Sequence, residues 1–320
     1  MRHALFPGDQ QILIGEREAP APGPGELRLD VLACSLCGSE LRVWRGGWPV
    51  TPGHEVVGRI NAPGHAEDGR RALVYIPVWC GVCDLCKAGQ THLCTAIGEL
   101  IGWQRHGGYA DSLIVPERCL LPLPDDVPTE LAPLLLDCIG TPAHGIRLAR
   151  RLVSAGPVAV IGAGPVGLGG VLAAPALGFP EVWVAEPRAH RRQMAIEFGA
   201  RDLADETRPR FPLVLESSGV DAARQRAIEL TAPGGVCVFL GESDRWSIAE
   251  TRAIRRKDFH IIRSFYFPIG DFQPNLGLLR ANRERYRRFV DGRVPLDGLA
   301  DLFRSFAAGE RIKPQFAVDA

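Results

Sequence analysis

The chain has 320 residues, which suits two domains better than one, and its hydrophobic content of 46% is sufficient for packed cores. The 37 Lys and Arg balance the 37 Asp and Glu, so the charge argues against nucleic acid or an anionic membrane surface as a partner. No apolar run approaches the length of a membrane span or a signal peptide. These properties predict a soluble, cytoplasmic protein with a small-molecule partner. In that reducing compartment the nine cysteines favour metal binding over disulfides.

The first predicted elements are strands that flank potential metal ligands. Residues 26–32 alternate between apolar and polar side chains, as a half-buried strand does, and residues 56–60 form an apolar strand. Cys37 and His54 lie between these strands, and a thiolate with an imidazole suits the softness of Zn²⁺. Taken singly, such residues are more often a buried thiol and a hydrogen-bonded histidine, so the assignment needs independent support.

Four cysteines in C-x2-C-x2-C-x7-C spacing supply that support: Cys80, Cys83, Cys86 and Cys94. Four thiolates complete a tetrahedral shell without a vacancy, which predicts a structural rather than a catalytic zinc. An iron–sulfur cluster also takes four cysteines, but no cysteine run of the bacterial ferredoxin type is present.

The central motif of the chain is an apolar run, residues 158–161, that breaks into spaced glycines. A run without polar alternation is typical of a strand buried on both faces. Gly162 would form the tight turn, Gly164 would let the backbone approach a pyrophosphate, and Gly167 would allow close helix packing. The predicted cofactor-binding loop comprises Gly162, Gly164, Pro165, Val166 and Gly167.

A second strand, residues 181–186, ends at Glu186, at the spacing expected for a partner of the adenosine ribose. Its carboxylate would repel a 2′-phosphate, which favours NAD over NADP. Downstream, the pattern predicts a helix over 188–198, buried strands at 211–216 and 236–240, a strand over 261–267 and a basic helix over 282–290. This alternation predicts an α/β fold with a doubly wound parallel sheet of the Rossmann type.

Taken together, the ordered motifs resemble the zinc-containing medium-chain alcohol dehydrogenase family, in its polyol, sorbitol and threonine dehydrogenase-like branch. The matching segments are residues 37–40, 53–55, the four-cysteine lobe, 107–116, 162–167, Glu186 and 234–241. The resemblance implies a β-rich GroES-like catalytic domain over 1–145, with the structural zinc lobe at about 80–94. It also implies an NAD-binding Rossmann domain over 146–274 and a C-terminal segment, 275–320, that returns to the catalytic domain. A homodimer or homotetramer is expected on the same basis.

The resemblance assigns Cys37 and His54 as ligands of a catalytic zinc, with Glu55 as a close neighbour able to coordinate it transiently. The third ligand falls at Asp137 or at Cys138. The family places a threonine four residues after this ligand, and Thr141 has that spacing only from Asp137. We therefore expect Asp137 to be the ligand, and Cys138 remains the alternative.

Several further roles follow from the resemblance. Ser39 matches the hydroxyl that passes the substrate proton onward, Thr141 would contact the nicotinamide, and Arg191 matches a residue that binds the adenosine ribose. Arg42 departs from the family, which often has histidine there as the outlet of the proton relay, and arginine cannot accept a proton at working pH. Trp44, Trp48 and Trp103 either shape the substrate pocket or belong to the core.

The sequence thus predicts a zinc-dependent enzyme that transfers a hydride between NAD(H) and a hydroxyl or carbonyl of a small polar substrate. A polyol, sugar, aminocyclitol or similar secondary alcohol fits the acidic third ligand best. Two alternatives stay open: a C=C or C=N reductase whose zinc is non-catalytic, and a nucleotide-binding protein without catalysis.

Overall fold

The computed structural model describes residues 1–204, 211–243, 246–247, 251–255 and 257–320. The chain divides into two compact units. The first comprises Met1–Leu134, Pro268–Gly270 and Tyr286–Ala320, and the second comprises Leu135–Phe267 and Asp271–Arg285. Within the described ranges, no helix is long and apolar enough to cross a membrane.

The first unit is rich in β-structure. Its strands are β1 (Arg2–Gly8), β2 (Gln11–Glu16), β3 (Glu26–Ser35), β4 (Glu55–Asn61), β5 (Arg71–Val74), β6 (Ser112–Pro116), β7 (Leu120–Pro122), β14 (Arg293–Val294) and β15 (Gln315–Ala317). The strands β1 and β2 form a hairpin. The others form one sheet in the order β14-β15-β3-β4-β5-β7, in which β6 also pairs with β3. Its helices are α1 (Leu41–Gly46), α2 (Asp84–Lys87) and α9 (Leu299–Ala307).

The central strand β3 positions the site residues of this unit. Every second side chain from Leu27 to Ala33 is buried, and the side chains between them are half-buried, as the sequence alternation predicts. Antiparallel pairing places Ser35, the last residue of β3, opposite Glu55, the first residue of β4. Cys37 and Glu55 are therefore brought to the same end of the sheet.

The second unit contains a parallel sheet with helices between its strands. The strands are β8 (Pro157–Ile161), β9 (Glu181–Ala185), β10 (Arg201–Asp202), β11 (Phe211–Glu216), β12 (Thr231–Phe239) and β13 (His260–Arg263), and the helices are α3 (Thr141–Ala149), α4 (Pro165–Ala173), α5 (Ala189–Glu197), α6 (Asp221–Leu230) and α7 (Phe272–Ala281). The strand order is β10-β9-β8-β11-β12-β13, and each neighbouring pair is parallel. This is the doubly wound order, so the predicted fold class is confirmed.

The strand β8 lies in the middle of that sheet because its side chains are apolar and can be buried on both faces. Val158 to Ile161 are buried, and the strand pairs with β9 on one side and β11 on the other. The chain order reverses between β8 and β11, which is where ligands bind in open α/β sheets, beyond the carboxyl ends of the strands. The glycine loop follows β8 at that end.

Two predicted elements are shorter than the sequence suggested. The strand predicted over 261–267 ends at Arg263, because its neighbour β12 ends at Phe239 and the residues beyond have no strand to pair with. Tyr266 then adopts the left-handed region, with φ of 49°. The helix predicted over 282–290 is limited to α8 (Arg283–Arg287), in which Tyr286 is buried.

Candidate active site

Cys37 lies in a tight turn immediately after β3. Its backbone N–H donates to Glu40 Oε2 at 3.1 Å, and its carbonyl accepts from the Glu40 N–H at 3.1 Å. The hydroxyl of Ser39 donates to the Cys37 Sγ at 3.2 Å. The turn therefore presents the thiol and the Ser39 hydroxyl side by side.

Glu40 is fully buried and organises the residues around it. Its Oε1 accepts from His54 Nδ1 at 2.8 Å and from the Gly53 N–H at 3.1 Å, and its Oε2 accepts from the Tyr109 hydroxyl at 2.6 Å. Burial, followed by the negative charge of Glu40, raises the pKa of Tyr109 well above its ordinary value, so the hydroxyl remains a donor. When His54 donates through Nδ1, its Nε2 carries the lone pair that binds a metal.

Glu55, the first residue of β4, forms a buried ion pair with Lys313. The side chains of the two residues are 0% and 1% exposed, respectively. They are 258 residues apart in the chain, and Lys313 precedes β15, which pairs with β3. A buried carboxylate needs a compensating cation, and the Lys313 ammonium supplies one.

Cys37, His54 and Glu55 form a donor set suited to zinc. One ligand atom from each residue lies within 4.8 Å of the others. A sulfur, an imidazole nitrogen and a carboxylate oxygen are the three donor types that zinc takes in proteins. The hydrogen bond from His54 to Glu40 adds the carboxylate support that metal-binding histidines typically have.

A second cluster unites the four spaced cysteines, whose sulfur atoms lie within 4.8 Å of one another. The Cys80 and Cys86 sulfurs are 4.0 Å apart, and those of Cys83 and Cys94 are 3.9 Å apart. A tetrahedron with zinc–sulfur bonds of about 2.3 Å has edges of about 3.8 Å, so the spacing fits zinc. Backbone N–H donors, first that of Cys86, lower the pKa of Cys83 to about 5, which favours the thiolate that a metal requires.

The glycine loop in the second unit has the backbone geometry that the motif predicts. Gly162 has φ of 91°, and a Cβ on Gly167 would lie only 1.9 Å from the Gly162 carbonyl oxygen. A Cβ on Gly164 would meet no atom within 4 Å, as expected where a ligand approaches the backbone. Pro165 and Val166 form the half-buried first turn of α4.

Glu186 follows β9 and lies beside this loop. Its Oε2 accepts from the Ala163 N–H at 2.7 Å and its Oε1 from the Arg188 N–H at 2.9 Å. Arg191 lies half-buried on α5. Arg192, which the sequence did not single out, donates to the carbonyl of Glu186 at 2.7 Å and so holds this end of β9.

The residues near the predicted third ligand also lie in the second unit. Asp137 and Cys138 belong to a single π-helical turn, Leu136–Gly140, and Thr141 begins α3. Asp137 is half-buried, whereas Cys138 is fully buried. The Cys138 carbonyl packs so tightly against α4 that a Cβ on Gly169 would lie 1.6 Å from its oxygen.

Comparison with known proteins agrees with this geometry. Residues 23–125 match the family described as alcohol dehydrogenase GroES-like domain, and residues 165–281 match the family described as zinc-binding dehydrogenase. An L-threonine 3-dehydrogenase of Pyrococcus furiosus is 31% identical over 71% of each chain, and an L-galactonate-5-dehydrogenase of Escherichia coli is 29% identical over 72% of this chain and 73% of its own. The chain belongs to the zinc-dependent alcohol dehydrogenase family.

A solved structure of a dehydrogenase matches nearly the whole chain. The crystal structure of an alcohol dehydrogenase from Escherichia coli CFT073, in complex with NADH, has a TM-score of 0.88 at 25% identity and covers 99% of both chains. The predicted family, zinc and NAD as cofactors, and hydride transfer to or from a small-molecule substrate are confirmed.

Two groups in the active site of this dehydrogenase were not predicted as site residues. Tyr109 lies in the motif 107–116, but its bond to Glu40 spans 69 positions and leaves no local sequence signal. Lys313 stands in the closing segment, where only the pairing of β15 with β3 reveals its contact with Glu55.

Aromatic side chains border His54 in the same unit. The Trp103 ring lies 5.4 Å from the His54 ring, and the Trp48 ring packs edge-on at 6.0 Å from Trp103. The Trp48 Nε1–H also donates to the Trp103 carbonyl at 2.6 Å. Trp44 packs at 6.0 Å against Phe303 in the core. Of the three tryptophans, Trp103 therefore adjoins the zinc donor set, and Trp48 packs against Trp103.

Proposed function

We propose that this enzyme oxidises a secondary hydroxyl of a small polar molecule, a polyol, a sugar or a related alcohol, with NAD as the hydride acceptor, or reduces the matching carbonyl. The observation that carries the proposal is the donor set of Cys37, His54 and Glu55, oriented by Glu40. Zinc held there would act as a Lewis acid and lower the pKa of the substrate hydroxyl. The names of the threonine and galactonate dehydrogenase relatives support a polar substrate.

We assign Asp137 as the third protein ligand and Cys138 as a packed core residue. The spacing from Asp137 to Thr141 supports this assignment. The burial of the two candidates supports it as well, because Asp137 is half-buried, whereas the fully buried Cys138 thiol suits packing better than coordination. With Cys37 and His54, Asp137 would provide three protein ligands, Glu55 would coordinate only transiently, and one position would remain for the substrate oxygen.

Ser39 is the first acceptor of the substrate proton in this scheme. Its hydroxyl is already oriented by donation to Cys37 Sγ. The relay cannot continue through Arg42, because a guanidinium remains protonated at working pH, so water or another group takes the proton from Ser39.

In the second unit, the loop of Gly162, Gly164, Pro165, Val166 and Gly167 binds the pyrophosphate of NAD, since N–H groups at a helix start favour anions. Glu186 and Arg191 bind the adenosine ribose, and Thr141 contacts the nicotinamide. The domain assignments of 1–145 for catalysis, 146–274 for NAD and 275–320 for the returning segment belong to the same proposal. We also propose that the chain forms a homodimer or homotetramer that pairs near β13, and light scattering tests this oligomeric state.

Zinc content and turnover together test the proposed function. Elemental analysis of protein purified without chelator should give two zinc ions per chain, and a panel of polyols, sugars and amino alcohols should yield NADH. His54→Gln and Asp137→Ala should each leave one zinc and abolish turnover. Cys138→Ala should keep both zinc ions, and His65→Gln serves as the matched histidine control.

Two results would contradict these assignments. Loss of one zinc in Cys138→Ala, with Asp137→Ala unaffected, would move the third ligand to Cys138. A protein with two zinc ions that forms no NADH with any alcohol of the panel would refute the proposed reaction.

A further inference from the structure

Arg42 places a positive charge over the Trp103 ring, which adjoins the zinc donor set. It lies on α1, directly after the turn that holds Cys37, and its side chain is exposed. Its guanidinium Cζ is 4.6 Å from the centre of the Trp103 ring, a typical cation–π distance. The same indole lies 5.4 Å from the His54 imidazole, with an angle of 33° between the ring planes. A single aromatic ring thus joins the guanidinium to a zinc ligand.

The chemistry of arginine limits what this charge can do. A guanidinium does not release its proton near neutral pH, so Arg42 is excluded as the outlet of the proton relay. Stacking on an indole uses the face of the guanidinium, whereas carboxylates and phosphates bind along its N–H edge, often through two parallel bonds. Because a guanidinium has five N–H groups, contact with the ring and a further partner still leave donors for an anion.

The contact between the Arg42 guanidinium and the Trp103 ring also reduces the entropic cost of binding a ligand. A long arginine side chain loses rotamer freedom when it grips a ligand. The Trp103 ring restrains the guanidinium beforehand, and Trp103 is itself fixed by its contacts with Trp48. A preorganised donor binds more tightly than a mobile one with the same contacts.

We propose that Arg42, held on Trp103, binds an anionic group of the substrate, a carboxylate or a phosphate, while a hydroxyl of the same molecule meets the donor set of Cys37, His54 and Glu55. The inference rests on the proposed function and narrows its substrate class to polyhydroxy acids or phosphorylated polyols. Neutral polyols should then be poorer ligands. Arg42 acts as a specificity residue, because it contacts the substrate away from the reacting carbon.

Three ligands with the same six-carbon chain separate the possibilities: galactonate, galactitol 1-phosphate and galactitol. Their affinities can be measured by calorimetry with the zinc-loaded enzyme saturated with NADH, since an alcohol cannot be oxidised by a reduced cofactor. The wild type should bind at least one of the two anions about tenfold more tightly than galactitol, the typical gain from a hydrogen bond to a charged group. Galactonate and galactitol 1-phosphate distinguish the two sources of the anion.

Arg42→Gln should abolish the preference for the anion and leave the affinity for galactitol unchanged. Arg45→Gln, which removes an equivalent exposed charge from the same helix α1, should retain the preference. Arg42→Lys should retain part of it, because lysine keeps the charge but lacks the planar fork.

Several outcomes would overturn the proposal. If neither anion binds more tightly than galactitol to the wild type, the site does not select anions and the proposal is wrong. The proposed function would still hold in that case if the enzyme oxidised any neutral alcohol with NAD. If Arg42→Gln weakens all three ligands equally, Arg42 merely supports Trp103. If the variant loses affinity for NADH and keeps the preference, Arg42 binds a phosphate of the cofactor.

Discussion

Replacing Lys313 by methionine tests how the buried pair with Glu55 contributes to the first unit. The substitution roughly preserves the length of the side chain but removes the cation beside a carboxylate that is 0% exposed. Breaking a buried ion pair from one side costs about 3–5 kcal/mol. For a unit of this size, that cost lowers the thermal midpoint by about 6–20 °C.

The assay is thermal and urea unfolding of the wild type, Lys313→Met, Glu55→Gln and the double variant, all in the same metal state. The double variant removes both charges, so it should recover most of the stability lost in Lys313→Met, because a neutral pair needs no compensation. Lys87→Met makes the same chemical change at an exposed position and should alter the free energy of unfolding by less than about 0.5 kcal/mol.

Either of two results would refute this reasoning. A loss below about 1 kcal/mol in Lys313→Met would mean that solvent or another group compensates Glu55. Strictly additive effects of the two single substitutions would mean that the residues contribute independently, although they are in contact.

Three further predictions concern other parts of the molecule. Glu40→Gln should weaken zinc binding about 10–100-fold in chelator competition, because His54 loses its carboxylate partner. Gly167→Ala should destabilise the second unit by about 1–3 kcal/mol, since its Cβ meets backbone, whereas Gly164→Ala should leave stability intact and weaken NAD binding in calorimetry. Burial, then the charge of Arg17, lowers the pKa of His3. The free energy of unfolding should therefore be highest above pH about 6.5 and fall as the pH drops from there towards the lowered pKa, less steeply in His3→Gln.

Each of these three predictions has a clear contrary result. Wild-type zinc affinity in Glu40→Gln would show that His54 needs no support, and Glu16→Gln provides the exposed acid control. Equal stability of Gly167→Ala and Gly164→Ala would show that the loop relaxes to accept a side chain. Identical pH dependence of the melting temperatures of His3→Gln and the wild type, between pH 7.5 and 5, would show that His3 does not titrate with unfolding.

Structural features that depend on short stretches of the chain could be predicted from the sequence. The buried run of β8, the turn at Gly162 and the four cysteines each depend on neighbours within about fifteen positions, so their spacing alone carries the information. The same holds for Glu186, because the length of one βαβ unit sets its distance from the glycine loop.

Boundaries that depend on a distant partner were not predictable. Residues 264–267 have the apolar and aromatic character of a strand, yet β13 ends at Arg263. The reason is that β12, its neighbour, ends at Phe239, and a strand without a partner leaves its backbone groups unpaired. Local propensity favours the strand, and only the length of the neighbouring strand decides where it stops.

The sequence by itself determined the family, the doubly wound sheet, both groups of metal ligands in the first unit and the glycine loop. Only the tertiary structure decided what surrounds those ligands: Tyr109 on Glu40, Lys313 on Glu55 and Trp103 under Arg42. These pairs join positions 69, 258 and 61 residues apart, respectively, and Lys313 reaches Glu55 because β15 and β4 both pair with β3. Spacing along the chain cannot encode such contacts, since the register between strands is set by the packing of the whole core.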